Sequence, residues 1–120
     1  MKDSIESFQS RGFRFACNIV RAYTKLAALP GFPIHLARQI LRAGTSIGAN
    51  LEEAKGAHSR RDAAAKFSIA LREARETSYW LRLLRATGLA PAEMLDPLIT
   101  EAGELIAVLT VARRRLNTDG

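Results

Sequence analysis

The stretch from Ile34 to Arg85 constrains this chain more than any other. It reads as two long helices broken at Gly56-Ala57-His58-Ser59. Ala37, Ile40, Gly44, Ile47, Leu51 and Ala54 follow a 3-4-3-4-3 spacing, which lays one apolar seam along a helix. Phe67, Leu71, Ala74, Ser78 and Leu81 repeat the rhythm in the second helix. Two such seams joined by a short turn fold back on each other as an antiparallel pair.

The flanking segments extend the pattern. Residues 1–12 carry no decisive signal, because Asp3 or Ser4 offers an N-cap while Gly12 interrupts any periodicity. Phe13, Ala16, Val20, Tyr23 and Ala27, with Ile19 and Leu26 beside them, predict a helix over 13–28 that stops at Pro30-Gly31-Phe32-Pro33. Pro33 fits the first turn of a helix over 33–56, and Ser59 with Asp62 marks the start of one over 60–87. Gly88 suits the C′ position of that third helix. Leu95, Leu98, Ala102, Leu105, Leu109, Ala112 and Leu116 form the cleanest heptad, in a fourth helix over 91–116. Arg113, Arg114 and Arg115 in its last turn oppose the C-terminal dipole. No segment alternates with period two. The expected architecture is all-α, one domain over 1–120, an up-down-up-down four-helix bundle.

Gly44 and Gly48 each cost about 1 kcal/mol relative to alanine in a helix interior. Their spacing points to close approach by a neighbouring helix, with a kink near Thr45-Ser46 as the alternative. On the third helix Ile69, Trp80 and Leu83 point away from the seam, with Glu73 and Glu76 among them. An exposed stripe holding tryptophan marks a self-association interface, unless the N-terminal segment folds over Trp80.

Composition bounds the chemistry. The single cysteine, Cys17, suits a reducing compartment, no apolar leader precedes Arg14, and no run is long enough for a membrane span. A cytoplasmic location follows as an expectation. Gly44-Thr45-Ser46-Ile47-Gly48 matches the G-x-S-x-G nucleophile pattern, but that elbow needs a strand before the serine, and this one sits in a helical seam. A di-iron site needs Glu-x-x-His pairs, and none occurs. His35 and His58 stand roughly 34 Å apart at opposite ends of the second helix. The chain is therefore read as having no catalytic residue, cofactor or metal. Asn50, Glu53, Glu73 and Glu76 are assigned to capping or inter-helix hydrogen bonds, and Arg72 with Glu76 to an i,i+4 pair.

The net charge is +6, and residues 1–88 hold fifteen basic and seven acidic side chains. This asymmetry points to a polyanionic partner, RNA or DNA, with solubilising charge as the alternative. The long-reach candidates are Arg38, Arg42, Lys55, Arg60, Arg61 and Lys66. A protein–protein adaptor is the competing function.

Two strings are distinctive together: Ser46-Ile47-Gly48-Ala49-Asn50-Leu51-Glu52-Glu53-Ala54, and the run from Phe67 to Leu84 containing Glu73-Ala74-Arg75-Glu76-Thr77-Ser78-Tyr79-Trp80-Leu81. They resemble the family of bacterial 23S rRNA intervening-sequence proteins over about residues 8–116. Departures are Leu51, where an aromatic or isoleucine is common, and the alanine-rich 62–66. The resemblance implies a left-handed bundle assembled as a homo-oligomeric ring, often a pentamer. A similar bundle, the accessory protein of diversity-generating retroelements, is a basic pentamer that binds nucleic acid and a reverse transcriptase. The resemblance carries over no catalytic residue.

Overall fold

The computed structural model describes residues 2–118, the side chains of residues 2–4 and 6 aside. Four helices follow one another: α1 Lys2–Ala27, α2 Ile34–Lys55, α3 Arg60–Thr87 and α4 Ala92–Thr118. No strand occurs among the described residues. Each helix packs on its successor, and α1 meets α4 along only a thin seam. The registers run antiparallel. Gln9 reaches Glu52 while Gly12 abuts Gly48 and Gly44 abuts Ile19. Lys66 pairs with Glu53 and Arg85 with Asp96. The result is an up-down-up-down bundle 49 × 21 × 19 Å in extent.

The seams of α2, α3 and α4 are buried as their spacing requires, including all seven members of the α4 heptad. Ser59 caps α3, its hydroxyl accepting from Asp62 N at 3.1 Å. Gly88 closes the helix in the left-handed region at φ 69°, where a side chain would be strained. Pro97 lies inside α4, in its second turn, and withholds one N–H from the helical ladder. It is exposed, so the carbonyl it leaves open faces water.

Two expectations for α1 are corrected. The helix begins at Lys2, not near Phe13, and passes through Gly12 without a break. The caps offered by Asp3 and Ser4 fall on side chains outside those described. Burial outweighs the local cost of glycine: the Phe8 ring stands edge-on to Phe67 at 5.4 Å, and Ile5 and Phe8 pack against the core. Its core face also differs. Phe15, Ile19, Ala22 and Leu26 are buried, whereas Phe13 is 66% and Val20 47% exposed. Both sets have helical spacing, so periodicity alone cannot choose between them.

Glycine makes the choice. A Cβ on Gly12 would lie 3.0 Å from Gly48 Cα, and one on Gly48 would lie 2.9 Å from Gly12 O. This backbone-to-backbone crossing sets the rotation of α1 and turns Phe15 and Ile19 inward. Gly44 is the second contact of the same seam, its missing Cβ replaced by Ile19 side-chain carbons at 2.7 and 2.9 Å. The close approach expected of Gly44 and Gly48 is therefore present, and α2 runs uninterrupted past Thr45.

Candidate nucleic-acid interface

Antiparallel packing places the α2–α3 turn beside the last turn of α4. Arg60 Nη2 donates to Arg115 O at 3.4 Å, tying the two together. Around this end lie Lys55, His58, Arg61, Arg114 and Arg115, all exposed, with Arg60 and Arg113 half-buried. A cleft of about 230 Å³ opens here, with Lys55, His58, Ser59 and Arg60 at its rim and Ile5 and Leu116 in its wall. Arg113 Nε is buried and meets no acceptor among the described residues.

The six basic candidates do not form one patch. Lys55, Arg60, Arg61 and Lys66 share the turn end. Arg38 is exposed but sits seventeen residues before Lys55, about 25 Å along α2. Arg42 is spent on structure: its guanidinium donates to Glu73 at 3.3 Å and to Glu76, bridging α2 to α3. Lys66 is partly neutralised by Glu53 at 3.0 Å. Arg61 and Lys55 keep their charge free of ion pairs among the described residues. The arginines at 113–115, read from sequence only as dipole partners, join this end. Pairing the up-down order with that triplet is the signal that would have found them.

Glu73, Glu76 and Arg42 also decide the fate of the second face of α3. Glu73 is 8% exposed, and its carboxylate is held by Arg42. Trp80 Nε1 donates to Glu76 Oε2 at 3.0 Å, and its ring packs on the core. Ile69, Trp80 and Leu83 are thus half-buried, less open than an unpartnered stripe, and the exposed aromatic of this face is Tyr79 at 52%. The N-terminal segment does not explain this cover, because Phe8 packs on Phe67, about 20 Å along α3 from Trp80. Glu76 pairs with Arg42 in place of the expected Arg72. Glu53 and Glu73 take the inter-helix roles expected of them, while Asn50 donates within its own helix to Ser46 O at 2.8 Å.

Among the described residues no group of three or more His, Cys, Asp or Glu side chains gathers to hold a metal, and no helix is long and apolar enough to cross a membrane. Ser46 is half-buried in the middle of α2, without the strand an elbow requires. Fold and surface define an elongated all-α four-helix bundle with one basic end.

Within that class, the profile of the 23S rRNA-intervening sequence proteins matches residues 7–111, and the chain belongs to this family. It is similar to a crystal structure of a protein of unknown function from the S23 ribosomal protein family of Bacteroides thetaiotaomicron, with 37% identity and a TM-score of 0.84. That match covers 95% of this chain and 99% of the other. No protein of curated function matches the chain. The two strings that carried the resemblance acquire structural roles: Gly48 makes the α1 crossing, and Glu73, Glu76 and Trp80 build the Arg42 clamp.

Proposed function

We propose that the protein is a non-enzymatic, cytoplasmic, self-associating helical module that grips the phosphate backbone of a nucleic acid with its basic end. One observation carries the reading: Lys55, Arg61, Arg114 and Arg115 converge from three elements on one end of the bundle and are exposed there. Charges on a rigid end, repeated in every subunit of a ring, sum into a large positive zone, and the family resemblance makes a pentamer the assembly to expect. Contacts of this kind fix position on the backbone and carry no sequence information. Apart from His58 no aromatic side chain lies beside these charges in sequence, which argues against base stacking as the main contact. The family takes its name from intervening sequences of 23S rRNA, so RNA is the polyanion to test first.

The test is a titration of labelled RNA and DNA at ~50 and ~200 mM salt. Counterion release weakens phosphate-dominated binding by orders of magnitude across that range. The expected outcome is binding that falls steeply with salt and is alike for unrelated sequences. Absence of binding at the lower salt leaves the protein–protein adaptor ahead, a reading favoured by the exposed Phe13 and Val20.

A further inference from the structure

The outer face of α3 carries charge that the bundle leaves unanswered. From position 61 to 82 a 4-3-4-3-4-3 line runs along the side of the helix away from the core. Arg61, Arg72, Arg75, Tyr79 and Arg82 stand on it, all exposed. The line is about 32 Å long at 1.5 Å per residue. Ala65 and Ser68 fill its remaining positions, so no bulky side chain interrupts the surface between Arg61 and Arg72.

Among the described residues no acid of this chain answers the line. On α3 only Glu76 stands one turn from one of these arginines, Arg72, and its Oε2 is taken by Arg42 and Trp80 Nε1. Glu73 also belongs to Arg42, and Asp62 lines a groove on the α2 side with Glu53 and Lys66. The α2 acids are engaged elsewhere, Glu52 with Gln9 and Glu53 with Lys66. Those of α4 mostly face α1: Glu101 accepts from Asn18, Glu104 nears Arg11, and Glu93 shares a groove with Arg21 and Lys25. Asp96 holds Arg85. Arg61, Arg72 and Arg75 therefore make no ion pair among the described residues, and Arg82 donates to the neutral Ser78 Oγ at 3.2 Å.

The make-up of the line selects the anion. All four cations are arginine, whose planar fork takes phosphate oxygens in pairs. An acidic protein partner would call for apolar anchors among the charges, and the line offers one ring, Tyr79. That ring is 52% exposed, stands one turn from both Arg75 and Arg82, and is steadied by Trp80 at a centroid distance of 5.2 Å and 69°. An aromatic held between phosphate-binding cations suits an unpaired base, because a single strand bares the base faces that a duplex keeps stacked.

We propose that a single strand of nucleic acid lies along the outer face of α3, its phosphates on Arg61, Arg72, Arg75 and Arg82 and one base stacked on Tyr79. The inference rests on the reading that the protein binds a nucleic-acid backbone. It extends the contact from the basic end, which Arg61 joins to this line, and names the form of nucleic acid bound.

Fluorescence anisotropy with a labelled single-stranded RNA of mixed sequence at ~50 mM salt tests it. Arg72→Glu with Arg75→Glu is expected to lower affinity about tenfold or more, with helicity unchanged by circular dichroism. Arg72→Gln with Arg75→Gln serves if charge reversal costs helicity. Tyr79→Ala is expected to lower affinity about fivefold or more, and Tyr79→Phe to retain it, since stacking needs the ring and not the hydroxyl. With the same RNA annealed to its complement, Tyr79→Ala is expected to have no effect. Arg14→Glu with Arg21→Glu makes the same charge change on α1, diagonal to α3, and is expected to keep affinity within about twofold. An unaltered protein that binds no RNA overturns the nucleic-acid reading and this face together. Binding lost with Arg61→Glu and Arg114→Glu but kept with Arg72→Glu and Arg75→Glu overturns this face alone. Equal losses from the α1 and α3 pairs also overturn it, because they reduce the effect to net charge. A Tyr79→Ala protein that holds the single strand as tightly as the unaltered one overturns the stacked base. A fall in light-scattering mass with Arg72→Glu and Arg75→Glu, at unchanged RNA affinity, assigns the face to a second copy of the chain instead.

Discussion

Single residues decide the α1–α2 seam. A Cβ on Gly48 would strike the Gly12 carbonyl, which is backbone and cannot turn aside. Gly48→Ala is therefore expected to destabilise by about 1–3 kcal/mol, the usual range for overpacking. Gly44→Leu is expected to cost at least as much, since Ile19 already fills the place of its Cβ. Thermal melts of the two variants check this, and a transition at or above that of the unaltered protein would place the seam elsewhere. Arg42 poses an electrostatic counterpart. Its side chain is 50% exposed, but that of Glu73 is only 10% exposed. Arg42→Ala leaves the Glu73 carboxylate covered and without its counter-ion. The expected loss is about 1–2 kcal/mol, between the values for exposed and buried pairs. Denaturant titration reads it directly.

At the scale of the helix, α1 carries two apolar faces of which the bundle buries one. Phe15→Ala is expected to cost about 3–5 kcal/mol, as for other large core aromatics. Phe13 is 66% exposed, so Phe13→Ala is expected to change the stability of the bundle by no more than about 0.5 kcal/mol. Equal losses at the two positions would mean that the rotation of α1 is wrong. The core seams of α2 and α4 were legible from spacing because in each a single 3-4 repeat runs the length of the helix. That of α1 was not, because Phe13, Ala16, Val20 and Ala27 satisfy helical periodicity as well as Phe15, Ile19, Ala22 and Leu26 do. Gly12 looked like an interruption for a related reason. Helix propensity counts the cost of a glycine but not the neighbouring backbone that it admits.

Across the whole molecule, the candidate site depends on which ends of the helices meet. If the basic end binds phosphate, Arg61→Glu with Arg114→Glu is expected to lower affinity for RNA at least tenfold and to flatten its dependence on salt. Arg38→Glu is expected to leave both nearly unchanged, since Arg38 stands about 25 Å from that end. Fluorescence anisotropy on the two variants separates a located site from a general effect of net charge: equal losses would point to charge alone. The sequence by itself determined α2, α3, α4 and the second half of α1, the caps at Ser59 and Gly88, and the antiparallel order, because periodicity and capping are local and short connections leave few topologies. Only the tertiary structure decided the rotation of α1, the sequestration of Arg42 and Lys66 by carboxylates on neighbouring helices, and the meeting of Arg113–Arg115 with the α2–α3 turn. Each of these depends on a contact between residues distant along the chain, and the residue pattern of one helix carries no record of what its neighbour places opposite.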